Sequence, residues 1–280
     1  MTSGYISDGD ATITPAAIPA AHRVWLDRYG SWQRFHWGVR RRLPLLKSLS
    51  RYPRCVLVAG CQRSGTTMLA RLIANAPGFT RLKLTGHDEL DAALVLAGFI
   101  DLPQQRRYCF QTTYLNENFH EYRTLAADQR LIWVVRNPYS VVYSMLHNWR
   151  RFALNELYQG CGVPNAGRER MAWPFGPSRL TKACLAYRGK VAQIMSIRHL
   201  LSPEQLLVVD YDRLVAAPSD WLPGIFAFAE APYDASIARE VHRGSGAEAD
   251  RLSGSARRLI ERLTWSTYRE CVALAMAPGG

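Results

Sequence analysis

No apolar run in this sequence is long enough to cross a membrane. The longest uncharged apolar stretch, AALVLAGFI from Ala92 to Ile100, is about half of the roughly 20 residues a bilayer demands. The opening residues MTSGYISDGDATITP carry neither the basic nor the apolar region of a signal peptide, so the reading is a cytoplasmic protein. Paired cysteines are also lacking. Cys55, Cys61, Cys109, Cys161, Cys184 and Cys271 are scattered, with no Cys-x-x-Cys and no neighbouring His tract, which argues against zinc or any other structural metal. Cys55 and Cys109 sit in apolar runs and read as buried, reduced thiols, which suits a reducing compartment. Negative charge is scarce as well: 23 Asp and Glu face 35 Lys and Arg, a net charge of +12. That imbalance favours polyanionic partners such as nucleotides, nucleic acid, acidic glycans or an anionic membrane face, and does not choose among them.

What is present fits one large α/β domain. The chain has 280 residues, 48% of them hydrophobic and 21% charged, enough to bury a single substantial core. Residues 1–20 are polar and rich in Pro, Ala and Thr and read as a disordered N-terminus; residues 21–280 read as one domain, with no internal repeat or linker. Residues 22–54 alternate aromatic and basic side chains, including Arg40-Arg41-Arg42. From Cys55 onward short apolar runs alternate with helical patterns. CVLVAG (55–60), RYCFQT (107–112), RLIWVV (130–135) and LLVVDY (206–211) predict strands. Helices are expected over 66–76, from about Asn116, and over 138–153, 178–200 and 255–275. Such alternation implies a three-layer fold, a mostly parallel central sheet flanked by helices, with ligands outside the carboxyl ends of the strands.

Two anion sites stand at such ends. The first strand runs into Gly60-Cys61-Gln62-Arg63-Ser64-Gly65-Thr66-Thr67 and then a helix. A glycine-bearing turn of this kind aims N–H groups and a helix N-terminus at an anion. An ordinary βα turn would not need an Arg inside the loop and two successive Thr at the helix start. Gly60 and Gly65 have the spacing of an ATP-binding loop, yet Thr66 stands where G-x-x-x-x-G-K-[ST] requires Lys, and RLIWVV ends in Arg136-Asn137-Pro138 rather than a Mg²⁺-binding Asp. The second site follows that strand. Asn137 is suited to cap a helix, Pro138 to open it, and Ser144 to project beside Arg136, where a cation, a hydroxyl and a helix N-terminus suit a separate phosphate.

Together these segments carry a resemblance. Gln62-Arg63-Ser64-Gly65-Thr66-Thr67 resembles the 5′-phosphosulfate loop of sulfotransferases that use 3′-phosphoadenosine 5′-phosphosulfate, and Arg136 with Ser144 resembles their 3′-phosphate site. Val209-Asp210-Tyr211-Asp212-Arg213-Leu214 is similar to the family's strand ending in Tyr-Glu-Asp-Leu, whose Tyr lies near the adenine. Arg243-Gly244 is similar to an Arg-Gly pair that also contacts the 3′-phosphate. The resemblance implies a P-loop-like α/β fold, that nucleotide as donor cosubstrate, and transfer without metal to a hydroxyl or amine of an acceptor: a small molecule, glycan or lipid, acidic or amphipathic.

Animal cytosolic members carry Lys-Thr-His on the strand before the 3′-phosphate site, where this chain has Gln111-Thr112-Thr113. The chain is thus closer to the bacterial glycolipid and tyrosylprotein branches, which place a Glu shortly after the first helix. Here that region reads Thr85-Gly86-His87-Asp88-Glu89-Leu90. Glu89, then His87, then Asp88 are candidates for the general base, although Asp88 and Glu89 equally suit the opening of a helix. Trp149 to Phe175, with its Gly and Pro, breaks the α/β rhythm and is the candidate acceptor-binding loop. Arg40-Arg41-Arg42, Arg150-Arg151, Arg168 and Arg170 are as well suited to solvated faces as to an acidic acceptor. The rival readings are a P-loop nucleotide kinase, against which the missing Lys speaks, and a basic nucleic-acid-binding protein. No nucleic acid is expected, since neither rival explains both anion sites.

Overall fold

The computed structural model describes residues 12–40, 44–162, 176–241 and 247–275. Four parallel strands form the central sheet in the order β4-β2-β5-β6: β2 (Val56–Gly60), β4 (Cys109–Gln111), β5 (Arg130–Val135) and β6 (Leu206–Asp210). Their near-continuous apolar sequences follow from burial on both faces, as expected of a parallel sheet. The period-two alternation of strands sorts the side chains between two cores. Leu57, Ala59, Leu131, Trp133, Val135 and Val208 face one side, and Val56, Val58, Ile132, Val134 and Val209 the other. Helices α3 (Thr66–Ala74), α8 (Tyr211–Ala216) and α9 (Pro218–Phe228) cover the second face. Helices α4 (Asp88–Leu96), α5 (Pro138–His147), α7 (Arg179–Ile197) and α10 (Gly254–Val272) contribute to the first core, with α6 (Arg151–Cys161) packed beside them. The expected three layers are present.

Several local expectations need correction. Residues 1–11 lie outside the described residues; residues 12–20, expected to be disordered, take up defined secondary structure. Strand β1 (Thr12–Ile13) pairs in parallel with β3 (Arg81–Leu82), and Ile13 and Ile18 are buried, which offsets the cost of ordering a short polar segment. Helices α1 (Ala20–Tyr29) and α2 (Trp32–Phe35) follow, the latter continuing into a π-helical turn over His36–Arg40. The helix expected from Asn116 is instead a 3₁₀ stretch, Thr113–Thr124, kinked at Asn116 (φ 24°, ψ −110°). Asn tolerates positive φ, and two side chains hold this one there: Gln62 Nε2 donates to its Oδ1 and Gln193 Nε2 to its carbonyl. The helix expected over 138–153 is two helices, α5 ending at His147 and α6 beginning at Arg151. Strand β6 stops at Asp210 because that carboxylate accepts from the N–H groups of Asp212 and Arg213 and so caps α8.

Arginines bind together the amino ends of the strands. Arg107 donates to the carbonyls of Arg54, Ala229 and Glu230, and the Glu230 carboxylate pairs with Arg54 and Arg130. The carboxyl ends carry the candidate site.

Candidate active site

Gly60 ends β2 and Gly65 caps α3, with a positive φ of 90°. A Cβ on Gly65 would lie 1.9 Å from the Tyr211 ring, so only glycine lets that ring close against the loop. Arg63, also at positive φ (72°), holds its side chain out from the turn and donates Nε–H to Ser144 Oγ at 2.9 Å. Arg136 is buried at the end of β5; its Nη1 donates to the Arg63 carbonyl at 3.2 Å, and its guanidinium lies 4.7 Å from the centre of the Tyr211 ring. Asn137 Oδ1 accepts the Tyr139 N–H and Pro138 opens α5, as expected of that pair. The sequence-derived anion residues Gln62 through Thr67, Arg136, Ser144 and Tyr211 therefore meet in one place, and the two expected phosphate sites touch through Arg63 and Ser144.

Asp212 completes this cluster. Its carboxylate accepts the Asn137 N–H at 2.6 Å and lies 3.9 Å from Arg136 Nε. Burial raises the carboxyls of Asp212 and Asp210 above their ordinary value. Desolvation, then the neighbouring Arg136 charge, pushes the Arg63 guanidinium down, while Glu89 opposes both. Two guanidinium groups this close repel unless an anion lies between them. Ser64 Oγ is buried here without a hydrogen-bond partner. The residues present fit a doubly phosphorylated nucleotide.

Gln111 fixes the start of α3. Its Nε2 donates to Thr66 Oγ1 (3.0 Å), and its Oε1 accepts from Thr67 Oγ1 (3.1 Å). Two residues on, Thr113 donates its hydroxyl to Glu89 Oε1. The position where animal cytosolic enzymes carry His is thus in contact with the carboxylate placed first among the candidate bases. The other two candidates diverge from it. Asp88 pairs with Arg71 (2.6 Å) on a separate cavity of about 430 Å³ that includes Arg81, Lys83 and Asp91. His87 is the exposed residue that immediately precedes α4, its N–H donating to Thr85 Oγ1. All three flank or open α4, yet only Glu89 reaches the cavity shared with Gln62.

That cavity, about 160 Å³, lies between the 32–36 segment, the loop after β4 and one face of α6. Trp32, Tyr114, Trp149 and Phe152 supply rings, Glu89 and Glu156 carboxylates, and His36 an imidazole whose Nε2 pairs with Glu156. The part of the 149–175 stretch that is described thus contributes a helix face rather than an irregular loop; 163–175 lie outside the described residues. Arg41, Arg42, Arg168, Arg170, Arg243 and Gly244 lie outside them too. The sequence reading missed Trp32, His36, Tyr114 and Glu156. Its one signal for the first two was the aromatic-basic alternation of residues 22–54.

A family model described as the sulfotransferase domain matches residues 53–251. No curated protein sequence matches the chain. Among solved structures, the sulfotransferase domain from the curacin biosynthetic pathway superposes with a TM-score of 0.50 at 16% identity, covering 81% of this chain and 100% of its own. Mouse sulfotransferase SULT7A1 complexed with PAP gives a TM-score of 0.50 at 17% identity, covering 83% of this chain and 94% of its own. Likeness at such identity concerns the fold alone. Among the described residues no helix is long and apolar enough to cross a membrane.

Proposed function

Because the chain belongs to the sulfotransferase family, we propose that it uses 3′-phosphoadenosine 5′-phosphosulfate as donor and transfers the sulfuryl group to a hydroxyl or amine of an acceptor held beside Glu89. The convergence of Arg63, Arg136 and Ser144 at the carboxyl ends of β2 and β5 carries this reading. Two cations and two helix N-termini converge in that space beside the carboxylates of Asp212 and Glu89, and a nucleotide with a 3′-phosphate and a 5′-phosphosulfate would bring an anionic group to each cation.

In this mechanism Arg63 and the N–H groups of the Ser64–Thr67 turn hold the 5′-phosphosulfate, and Arg136 with Ser144 holds the 3′-phosphate. The Tyr211 ring, closed on Gly65 and facing Arg136, borders the adenine end. The donor supplies an electrophilic sulfur and a phosphate leaving group. Glu89 accepts the proton of the acceptor hydroxyl as its oxygen bonds to sulfur; the bond from sulfur to the 5′-phosphate oxygen breaks, and Arg63 with the turn N–H groups takes up the charge gained by that phosphate. Thr113, by donating to Glu89 Oε1, fixes the orientation of that carboxylate. The proposed compartment is the cytoplasm, supported by buried cysteines such as Cys55, Cys184 and Cys271 in reduced form, with burial raising Cys184 and Cys271 to about 12. The test is calorimetric titration with 3′-phosphoadenosine 5′-phosphate; no binding at millimolar nucleotide would defeat the proposal.

A further inference from the structure

The anion loop and the candidate base are joined by side-chain amides. Gln62 belongs to the loop by its backbone, while its side chain reaches the turn after β4. Its Nε2 donates to the Thr113 carbonyl at 2.9 Å and to Asn116 Oδ1 at 3.2 Å, one hydrogen for each acceptor. At the other end of the loop Gln111, the last residue of β4, donates to Thr66 Oγ1 and accepts from Thr67 Oγ1. The 111–116 segment is thus tied to both ends of the loop, and from its middle the Thr113 hydroxyl donates to Glu89. Asn116 shows that these ties restrain the turn. It is buried, and its backbone sits at φ 24°, ψ −110°, a conformation that a residue with a Cβ keeps only where its surroundings impose it. Two amides do so here: Gln62 on the side-chain oxygen and Gln193 of α7 on the carbonyl, at 2.7 Å. Gln193 stands on a helix packed into the core. Gln62 stands on a loop that a bound anion would order.

Resting on the sulfotransferase reading, we propose that Gln62 is a positioning residue: through its amide, a nucleotide seated on the loop tightens the 113–116 turn and so steadies Glu89. An anion held by Arg63 and the N–H groups of the Ser64–Thr67 turn favours the ordered loop over looser ones, and a ligand shifts an equilibrium by just such a difference. Fixing the loop fixes the Gln62 backbone, and with it the one amide that restrains both Thr113 and Asn116. Thr113 passes that restraint to the carboxylate. The base is then held most firmly when the donor is in place.

Amide hydrogen exchange, read by mass spectrometry with and without 3′-phosphoadenosine 5′-phosphate, tests this and needs no acceptor. In the wild type the nucleotide should slow exchange over 60–67, and also over 114–118 by about fivefold or more, the lower end of coupling between sites. Gln62→Met has nearly the same length and donates no hydrogen bond. It should still bind the nucleotide in calorimetry and still show slowing over 60–67, but lose the slowing over 114–118. Gln111 stays in place in this variant and keeps 111–112 tied to Thr66 and Thr67, which is why the effect is read at 114–118. A purely structural role would loosen 114–118 equally with and without nucleotide and leave the nucleotide's effect intact. Gln62→Ala, which leaves room for water at the two freed acceptors, gives the same reading should the methionine variant fail to fold. No slowing over 114–118 in the loaded wild type, or slowing of wild-type size in either variant, overturns the proposal. Failure of the nucleotide to bind the wild type, seen separately in calorimetry, overturns the donor reading and this coupling with it.

Discussion

The Nε–H of Arg63 rests on Ser144 Oγ, 2.9 Å away, so a residue of the first anion loop is tied to a residue of the second. The two segments proposed to hold the phosphates are therefore mechanically one. Arg63→Ala and Arg136→Ala should each weaken binding of 3′-phosphoadenosine 5′-phosphate about tenfold to a hundredfold, the range for charge-assisted hydrogen bonds. Ser144→Ala should cost about fivefold, and its effect should not add to that of Arg63→Ala, because the pair shares one interaction. Calorimetry on the single and double variants checks this; wild-type affinity in both Arg variants would remove the nucleotide from this place.

Adenosine 5′-phosphosulfate lacks the 3′-phosphate that Arg136 and Ser144 are proposed to hold. It should bind about tenfold or more weakly than the full donor, and the difference should vanish in Arg136→Ala. Equal affinity of the wild type for both nucleotides, measured by competition against 3′-phosphoadenosine 5′-phosphate, would sink the second site.

Glu89→Gln should lose about 10²–10⁴-fold in turnover, the range for a general base, and keep donor binding. Asp88→Asn, whose side chain faces Arg71 and the larger cavity, and His87→Gln, exposed at the start of α4, should turn over within about threefold of wild type. Labelled-donor assays with an acceptor found by screening separate the three. A loss confined to Asp88→Asn would move the base to the other side of α3.

Gly65→Ala places a methyl group against the Tyr211 ring at a backbone angle that L-residues avoid. It should destabilise the protein by about 2 kcal/mol or more, from backbone strain and overpacking together. In a Tyr211→Ala background the same change should cost only the backbone part, about 1–2 kcal/mol. Urea denaturation of the four proteins gives the cycle, and an identical cost in both backgrounds would mean that the ring does not press on the loop.

Asp91 gives a pH signature. Its buried carboxylate accepts three hydrogen bonds from Leu84 N–H and from the N–H and hydroxyl of Thr85. Burial is the larger influence and raises this carboxyl above its ordinary value. A folded-state value above the unfolded one means that protonation favours the folded chain. Wild type should therefore gain stability relative to Asp91→Asn as pH falls from neutrality through that raised value, the gain being complete below the ordinary carboxyl range near about 3.9. Denaturant titrations of both proteins at neutral and mildly acidic pH check the sign.

Much of the anion site was legible because its determinants are local. A strand, a glycine turn and a capped helix are written within single short segments, Val56 to Thr67 and Arg130 to Ser144. The cavity was not legible because its walls are assembled across the chain: His36 meets Glu156 only after α6 folds back over the 32–36 segment. Nor could sequence separate Asp88 from Glu89. Neighbours on a helix point about 100° apart, and the phase that turns one toward Arg71 and the other toward Thr113 is set by how α4 packs. The kink at Asn116 escaped for a similar reason, since the groups that hold it come from Gln62 and Gln193.

The all-parallel order of the sheet has a kinetic consequence. No two neighbouring strands are joined by a hairpin: Val56 pairs with Arg130, and Leu131 with Leu206, each more than seventy residues along the chain. Such long loops must close before their contacts return any stability, which makes assembly slow. Since Gly60, Arg136 and Tyr211 lie at the ends of three different strands, the proposed nucleotide cradle exists only after the last of these has docked. A ligand that needs the finished cradle binds the folded chain and not the unfolded one, so it stabilises the protein by mass action, in proportion to how far its concentration exceeds its dissociation constant.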